Sequence, residues 1–221
     1  MLIAGIDEAG RGPVFGPMVL AVACIEKKEE EKLLDLGVKD SKLLSAKERN
    51  SCFRKIKKTV CELNSTQLAA EELDLLMDRK SLNEIEAMKV GFLLNNLKVK
   101  PEVVFVDAPD RIEENFAKRI KKYCSFDCII KSEHKADSRY PIVSAASIIA
   151  KVERDKVISK LAKKFGSIGS GYPHDEVTIS FLQKWVKEKK CLPPFSRKNW
   201  STSQNALNKV FQKKMNLFVE R

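Results

Sequence analysis

Residues 2–25, LIAGIDEAGRGPVFGPMVLAVACI, constrain the fold more than any other part of the chain. An apolar run, LIAGID, gives way to Gly10-Arg11-Gly12-Pro13, and a second apolar run, GPMVLAVACI, follows at once. Short apolar runs bounded by turn residues read as buried strands. Two more runs, EVVFVD and SFDCIIK, read the same way. Between them lie segments of helical period, so strands alternate with helices while the first two strands are joined by a tight turn. That order predicts an α/β protein built on a mixed sheet with helices packed on it.

Ser45 and Ser81 each stand three residues before a glutamate, Glu48 and Glu84, the capping-box pattern that opens a helix. The first helix shows Phe53, Ile56 and Val60 on its apolar face, the second Leu82, Ile85, Met88 and Phe92. RIEENFAKRIKKY places Ile112, Phe116 and Ile120 at i, i+4 and i+8, a third helix. Pro141 stands where a helix can begin, and residues 141–165 can run as one long helix. GSIGSGYP is a loop, DEVTISFLQKWVKE is helical until Pro193-Pro194 break it, and the tail from about Ser201 is helical and basic. No internal repeat or low-complexity linker interrupts the chain. One domain over residues 1–195 with a C-terminal helical extension over 196–221 is the expected organisation.

Of 221 residues, 41 are Lys or Arg and 30 Asp or Glu, a net charge of +11. That excess favours a polyanionic partner, nucleic acid before an anionic membrane surface. No apolar run is long enough for a spanning helix, and the N-terminus lacks the basic segment of a signal peptide. Cys124 and Cys128 form an isolated C-x3-C with no second pair at zinc-ligand spacing. Reduced thiols in a cytoplasmic protein are therefore expected, and nothing demands more than a monomer.

Asp7 and Glu8 run straight into the glycine-rich turn. Neighbours in a strand point to opposite faces, so both can line one site only if the strand ends there, and the glycines predict that it does. Asp107 ends VVFVD, and Asp137 precedes the long helix. An unpaired carboxylate at the end of a buried strand is expensive to desolvate. Several together would raise one another's pKa or call for a cation such as Mg²⁺, which takes oxygen ligands. Two such ions about 3.5–4 Å apart can clamp the attacking and leaving oxygens of a phosphodiester displacement. The turn's backbone N–H groups would approach the same nucleotide. Spacing alone leaves open whether the four acids converge, and Asp107 or Asp137 taken singly also fits a helix cap or a solvated loop carboxylate.

GIDEAGRGPVFGPMV, DSKLLS, FVDAPD, HKADSRYPIVSAASIIAKVERD, GSGYP and PPFSRKNW stand in this order from about Leu2 to Trp200. Together they resemble the ribonuclease HII family, type 2 ribonuclease H, in wording closest to its archaeal branch. The resemblance implies an RNase H-like mixed sheet flanked by helices. It implies a Mg²⁺- or Mn²⁺-dependent endonuclease acting on the RNA strand of RNA–DNA hybrids. Ribonucleotide-containing duplex DNA would also be cut, 5′ of a single embedded ribonucleotide, leaving 5′-phosphate and 3′-OH ends. Carried over by motif, Asp7, Glu8, Asp107 and Asp137 would hold two metal ions. Gly10, Arg11 and Gly12 would sense the 2′-OH, largely through backbone. Tyr172 would pack on the deoxyribose after the junction, and Lys42 would contact backbone phosphate.

Two other readings compete. A DNA-directed nuclease of the same fold has no 2′-OH for the G-R-G element and Tyr172 to sense. A non-catalytic nucleic-acid-binding protein gains nothing from four acids that repel phosphate. Lys135, Lys151 and Arg154 either face the phosphate backbone or line a solvated helix face. Ala145, Ala146 and Ser147 are small enough to let the long helix press on the sheet. His134 reads as a supporting or surface residue, and Trp185 and Trp200 as packing residues. In the tail, Gln212, Met215 and Phe218 stand at first, fourth and seventh positions. This resembles the box by which partners dock on the sliding clamp, although Val219 stands where a second aromatic would. Phe211, Met215 and Phe218 also fit one face of an amphipathic helix packed on the body.

Overall fold

The structure, a computed structural model, describes residues 1–38 and 44–219, with side-chain surroundings through residue 210. Its sheet has five strands, β1 (Leu2–Ala9), β2 (Met18–Glu26), β3 (Glu62–Leu68), β4 (Val103–Asp107) and β5 (Ile129–Glu133), in the order β3-β2-β1-β4-β5. β1 pairs antiparallel with β2, from Leu2↔Glu26 to Ala9↔Val19, and parallel with β4, from Ile3↔Val103 to Ile6↔Val106. β4 pairs parallel with β5. The expected mixed sheet is present, with β1 at its centre. The near-continuous apolar composition of β1 and β2 suits strands covered on both faces. β3, ELNSTQL, has neither alternation nor an apolar run, so nothing in its sequence marks it as a strand. It occupies the sheet edge, where a polar strand discourages further pairing.

The helices are α1 (Glu31–Leu34), α2 (Ala46–Thr59), α3 (Ala70–Met77), α4 (Leu82–Asn95), α5 (Glu113–Lys121), α6 (Ala136–Arg139), α7 (Pro141–Phe165), α8 (Glu176–Lys189) and α9 (Ser201–Val219). The chain divides into two compact units. The first, residues 1–9, 19–67 and 80–153, holds the sheet. The second, residues 10–18, 68–79 and 154–221, is mainly helical. The expected boundary at 195/196 falls inside the second unit. No helix among the described residues is long and apolar enough to cross a membrane.

In the first unit, Ile3, Ala21, Ala23, Ile25, Val103 and Phe105 pack with Ile142, Val143, Ala145 and Ile149 of α7. Contact between α7 and β1 is closest at Gly5, where a Cβ would lie 2.3 Å from the Ile142 carbonyl carbon. Ala145 and Ala146 are fully buried, as small residues on that face should be. The capping box of α2 is complete: the Ser45 N–H donates to Glu48 (2.8 Å) and the Glu48 N–H to Ser45 Oγ (3.3 Å). At α4 only half of it forms. Ser81 Oγ accepts from the Glu84 N–H, while the Glu84 carboxylate accepts from Arg119 and Tyr123, both at 2.6 Å. The buried face of α4 is also rotated from expectation. Ile85, Val90 and Leu94 are buried, but Phe92 is 54% exposed. Gly91 sets this rotation, because a Cβ there would lie 2.4 Å from the Tyr123 Cβ, so the helix approaches Tyr123 through position 91.

The second unit is built around Val14, Phe15, Ile168, Leu182, Val186 and Phe195. Phe15 meets Phe195 and Phe181 edge-on at 5.2 and 5.8 Å, favourable for aromatic rings. Trp185, half-buried, packs on Phe165 and Phe181. Leu207 and Val210 of α9 are partly buried against this cluster.

Candidate active site

Strand β1 does not end at Asp7. Asp7 pairs with Ala21, Glu8 with Leu20 and Ala9 with Val19, so the ladder to β2 carries it past both acids. Turn residues shorten a strand only where no partner continues, and β2 continues. The parallel ladder to β4 stops earlier, at Ile6↔Val106. The next two residues in that register are Asp7 and Asp107. They leave the C-terminal ends of two parallel strands at one level and on one face, the usual location of an α/β site. Glu8, by alternation, leaves on the opposite face.

Asp7 is 8% exposed. Burial holds its carboxyl well above the ordinary carboxylate range, and the charges of Glu8 and Asp107 add to the effect; a hydrogen bond from Ser147 opposes it. Asp107 Oδ1 accepts from the Ala136 N–H at 2.8 Å, which brings the start of α6 to the end of β4. Asp137, buried, is the next residue. Lys135, at φ 56°, makes the sharp left-handed turn from β5 into α6. Glu133 then accepts from Arg139 (2.8 Å) and the Tyr140 hydroxyl (2.7 Å), and the Tyr140 ring stacks on Phe105 at 4.2 Å. Asp7 and Asp107 thereby stand at one end of the sheet, the charge of Glu8 acts on Asp7, and Asp137 follows the residue that is bonded to Asp107. Asp110, in the same motif as Asp107, has a different role: it accepts from Arg119 (3.0 Å) and joins the α4–α5 network. His134 Nδ1 lies 3.2 Å from the Ala108 carbonyl on an exposed stretch, a supporting position.

Among the described residues no three acidic, imidazole or thiol groups already form a ligand cage. The chemistry of the donors nonetheless fits a hard divalent ion. All are oxygens, and Mg²⁺ keeps several waters and needs only one or two carboxylates. A cation would also relieve the repulsion that raises Asp7.

The glycine-rich turn and Tyr172 belong to the second unit. Gly10 has φ +85°, and a Cβ there would lie 2.5 Å from Arg154 Nε and 2.7 Å from the Pro17 carbonyl oxygen. Gly12 is the reverse case, exposed, with no atom within 4 Å of a Cβ. Arg11 is half-buried. The Val14 and Phe15 N–H groups donate to the Gly171 carbonyl (2.7 and 3.2 Å), which ties the turn to the loop that carries Tyr172. Arg154 does not face a phosphate backbone: it is 1% exposed, with its guanidinium 4.9 Å from the Tyr172 ring centre. Lys135 is exposed and Lys151 half-buried. Arg197, which the sequence reading did not single out, is fully buried and stacks on Trp200 at 4.7 Å. Two grooves of about 750 and 630 Å³ also lie in this unit, and neither is lined by the four acids, the turn glycines or Tyr172. Lys42 lies outside the described residues, as do the side chains of Gln212, Met215 and Phe218.

The Tyr172 loop is anchored by Asp175, the N-cap of α8. Its carboxylate accepts from the N–H groups of Ser170 (2.5 Å) and Val177 (3.0 Å) and from Thr178 Oγ1 (3.2 Å). These bonds, the one from Ser170 foremost, lower its pKa to about 2. A carboxylate lowered on folding stabilises fully above its unfolded pKa of about 4, and that contribution is lost as pH falls towards the folded value. Asp175→Asn should therefore be less stable than wild type at pH 7, with the gap narrowing between about pH 4 and pH 2. Urea melts at pH 7 and pH 3 measure this; a gap of equal size at both would show that the charge does not anchor the loop.

The ribonuclease HII family model matches residues 4–203. The ribonuclease HII of Methanococcus maripaludis strain C6 is 45% identical over 222 residues, 99% of this chain and 92% of that protein. The crystal structure of ribonuclease H2 from Pyrococcus horikoshii OT3 is 42% identical with a TM-score of 0.90, covering 96% of this chain and all of that one. The ribonuclease HII in the PCNA:RNase HII complex from Archaeoglobus fulgidus is 40% identical with a TM-score of 0.84, covering 92% and 96%. These likenesses bear out the expected RNase H-like sheet flanked by helices, with a helical C-terminal part.

Proposed function

The chain belongs to the ribonuclease HII family, and from that membership we propose that its clustered acids serve ribonucleotide-directed, metal-assisted hydrolysis. The protein is a type 2 ribonuclease H, of the family that cleaves the RNA strand of RNA–DNA hybrids. The proposal extends this to duplex DNA with one embedded ribonucleotide, cut on its 5′ side to leave 5′-phosphate and 3′-OH ends. The observation that carries it is the register of β1 and β4, which sets Asp7 beside Asp107 with neighbours that disfavour its charge.

Asp7, Asp107 and Asp137 would hold Mg²⁺ or Mn²⁺ from their side of β1, and Glu8, near enough for its charge to act on Asp7, would complete the set by turning round the edge of the strand. Two such ions, when bound, supply a nucleophile from water at neutral pH and stabilise the charge that develops on the phosphate. Gly10, Arg11 and Gly12 present backbone donors to the 2′-OH, Tyr172 packs on the following deoxyribose, and Lys42 contacts backbone phosphate. Cleavage of a duplex with one ribonucleotide, of a long hybrid and of all-DNA duplex, each with and without Mg²⁺, tests the reading. Cutting of all-DNA duplex at a comparable rate would favour a DNA-directed nuclease, and no cutting of any would favour a binding protein.

Tyr172 should separate the two substrates. One face of its ring can lie on a sugar lacking the 2′-OH, and such a sugar follows a ribonucleotide only at a junction. Tyr172→Ala should cut a single embedded ribonucleotide about 10-fold more slowly, a loss of about 1.4 kcal/mol, and long hybrid much less so. Equal losses on both substrates would make Tyr172 a structural residue.

We assign hydrolysis to residues 1–195 and clamp docking to the extension 196–221. Gln212 would mark the start of the docking box, and Met215 and Phe218 would fill one apolar pocket on the clamp. Support comes from the box-like spacing and from the relative whose structure is a complex with PCNA. Truncation after Val210 keeps Leu207 and Val210. It should leave melting temperature and clamp-free activity unchanged and abolish clamp binding in a pull-down. A markedly lower melting temperature would place the tail in the body instead. The remaining assignments are a monomer working in the cytoplasm, consistent with six free cysteines.

A further inference from the structure

We infer that Arg154 and Arg197 are positioning residues for ribonucleotide recognition: they hold the carbonyls of the glycine-rich turn inward so that its N–H groups face substrate, and they fix Tyr172 to that turn. The inference rests on the reading of the turn and Tyr172 given above.

Burying a guanidinium is costly even after relaxation, and an apolar residue of similar volume often serves stability as well. Here two are buried, at 1% and 0% exposure, near enough that the charge of Arg154 acts on Arg197. Their donors go to backbone. Arg197 donates from Nη2 to the Gly10 carbonyl (2.5 Å), from Nη1 to Arg11 (2.9 Å) and from Nε to Gly16 (3.1 Å). One planar fork thus takes three carbonyls of a single turn. Burial, then the charge of Arg154, pull Arg197 down to about 9, which leaves it charged at neutral pH.

Peptide planarity makes this consequential. In a trans peptide the carbonyl of one residue and the N–H of the next point in opposite directions. With the Gly10 and Arg11 carbonyls turned to the guanidinium, the N–H groups of Arg11 and Gly12 must turn away from it. Gly12, where an added Cβ meets nothing, is the open side of the turn. A cation on the carbonyl side also polarises these peptides and strengthens them as donors.

Arg154 ties Tyr172 to the same turn. Its Nη2 donates to the Ser170 carbonyl (3.0 Å) and the Phe15 carbonyl (3.4 Å), one on each segment. Its guanidinium lies against the Tyr172 ring, a cation–π arrangement. Its Nε and Cδ occupy the space a Gly10 side chain would need. That Nε is buried without a hydrogen-bond partner among the described residues, a cost accepted for the placement of the rest of the group.

Lysine keeps the charge but cannot present a planar fork. The test measures the affinity of Arg197→Lys, without divalent metal, for duplex DNA containing one ribonucleotide and for the same duplex as all-DNA. The preference for the ribonucleotide should fall about 10-fold while all-DNA affinity changes less than about 2-fold, the mark of a lost specific contact. A preserved preference, or a parallel loss on both duplexes, overturns the inference. Wild-type protein with no preference at all removes the underlying reading of the turn, and this inference with it. Arg154→Lys supplies a second, independent measurement. Its loss of selectivity for a single ribonucleotide over long hybrid should vanish in a Tyr172→Ala background, because groups acting through one another are not additive. Additive losses overturn the coupling.

Discussion

Asp7→Asn should lower cleavage by about three orders of magnitude, roughly 4 kcal/mol of transition-state stabilisation, while leaving affinity for hybrid intact or improved. Asparagine keeps the shape and an oxygen but removes the charge that would hold a divalent ion beside Asp107. It also removes a negative charge that repels the scissile phosphate, so binding and chemistry should part company. The same change should stabilise the metal-free fold. Asp7 is buried, with Glu8 and Asp107 acting against its charge, and a neutral amide avoids that cost. For a chain of this size each kcal/mol is about 2–4 °C in melting temperature. Asp107→Ala should lose as much activity but melt lower than wild type, because Asp107 Oδ1 holds the Ala136 N–H at the start of α6. Single-turnover cleavage, hybrid affinity and thermal melts in EDTA read all of this. If Asp7→Asn cut within tenfold of wild type, or melted lower in EDTA, Asp7 would not be a strained metal ligand.

Gly12→Ala should leave the fold intact and remove most activity. Gly12 lies outside the positive-φ region, is exposed and has open space where a Cβ would stand. Alanine there costs the folded state nothing and restricts the unfolded chain, a gain of about 0.4–1 kcal/mol. A substrate backbone seated on that surface would meet the methyl group first. Displacing the reacting phosphate by about 1 Å is enough to lose about 100-fold in rate. Gly10→Ala should behave differently, losing stability as well, because φ +85° and Arg154 both exclude a side chain. Steady-state kinetics with a single-ribonucleotide duplex, beside thermal melts, distinguish the two. Wild-type kinetics from Gly12→Ala would show that substrate does not approach this side of the turn.

What the sequence determined by itself is what short-range chemistry encodes. The helix from Pro141 to Phe165 has the bounds predicted from its proline and following loop, and the Ser45–Glu48 box forms as written. The strand ending at Asp107 was legible because an apolar run followed by Ala-Pro needs no distant partner to be recognised. The acids were legible as candidates because charge at the end of a buried strand conflicts with desolvation. Tertiary structure decided what depends on partners far along the chain. Strand β1 runs past Glu8 because β2 continues to pair with it, so Glu8 leaves on the face opposite Asp7. The polar strand β3 exists only as an edge on β2. Arg154 and Arg197 look like ordinary surface charges in VERD and SRKN, and only the fold makes them buried supports. A guanidinium is drawn into the interior by carbonyls that happen to converge there, and for Arg197 those carbonyls lie 181 to 187 residues away in sequence. No local pattern of spacing carries that information.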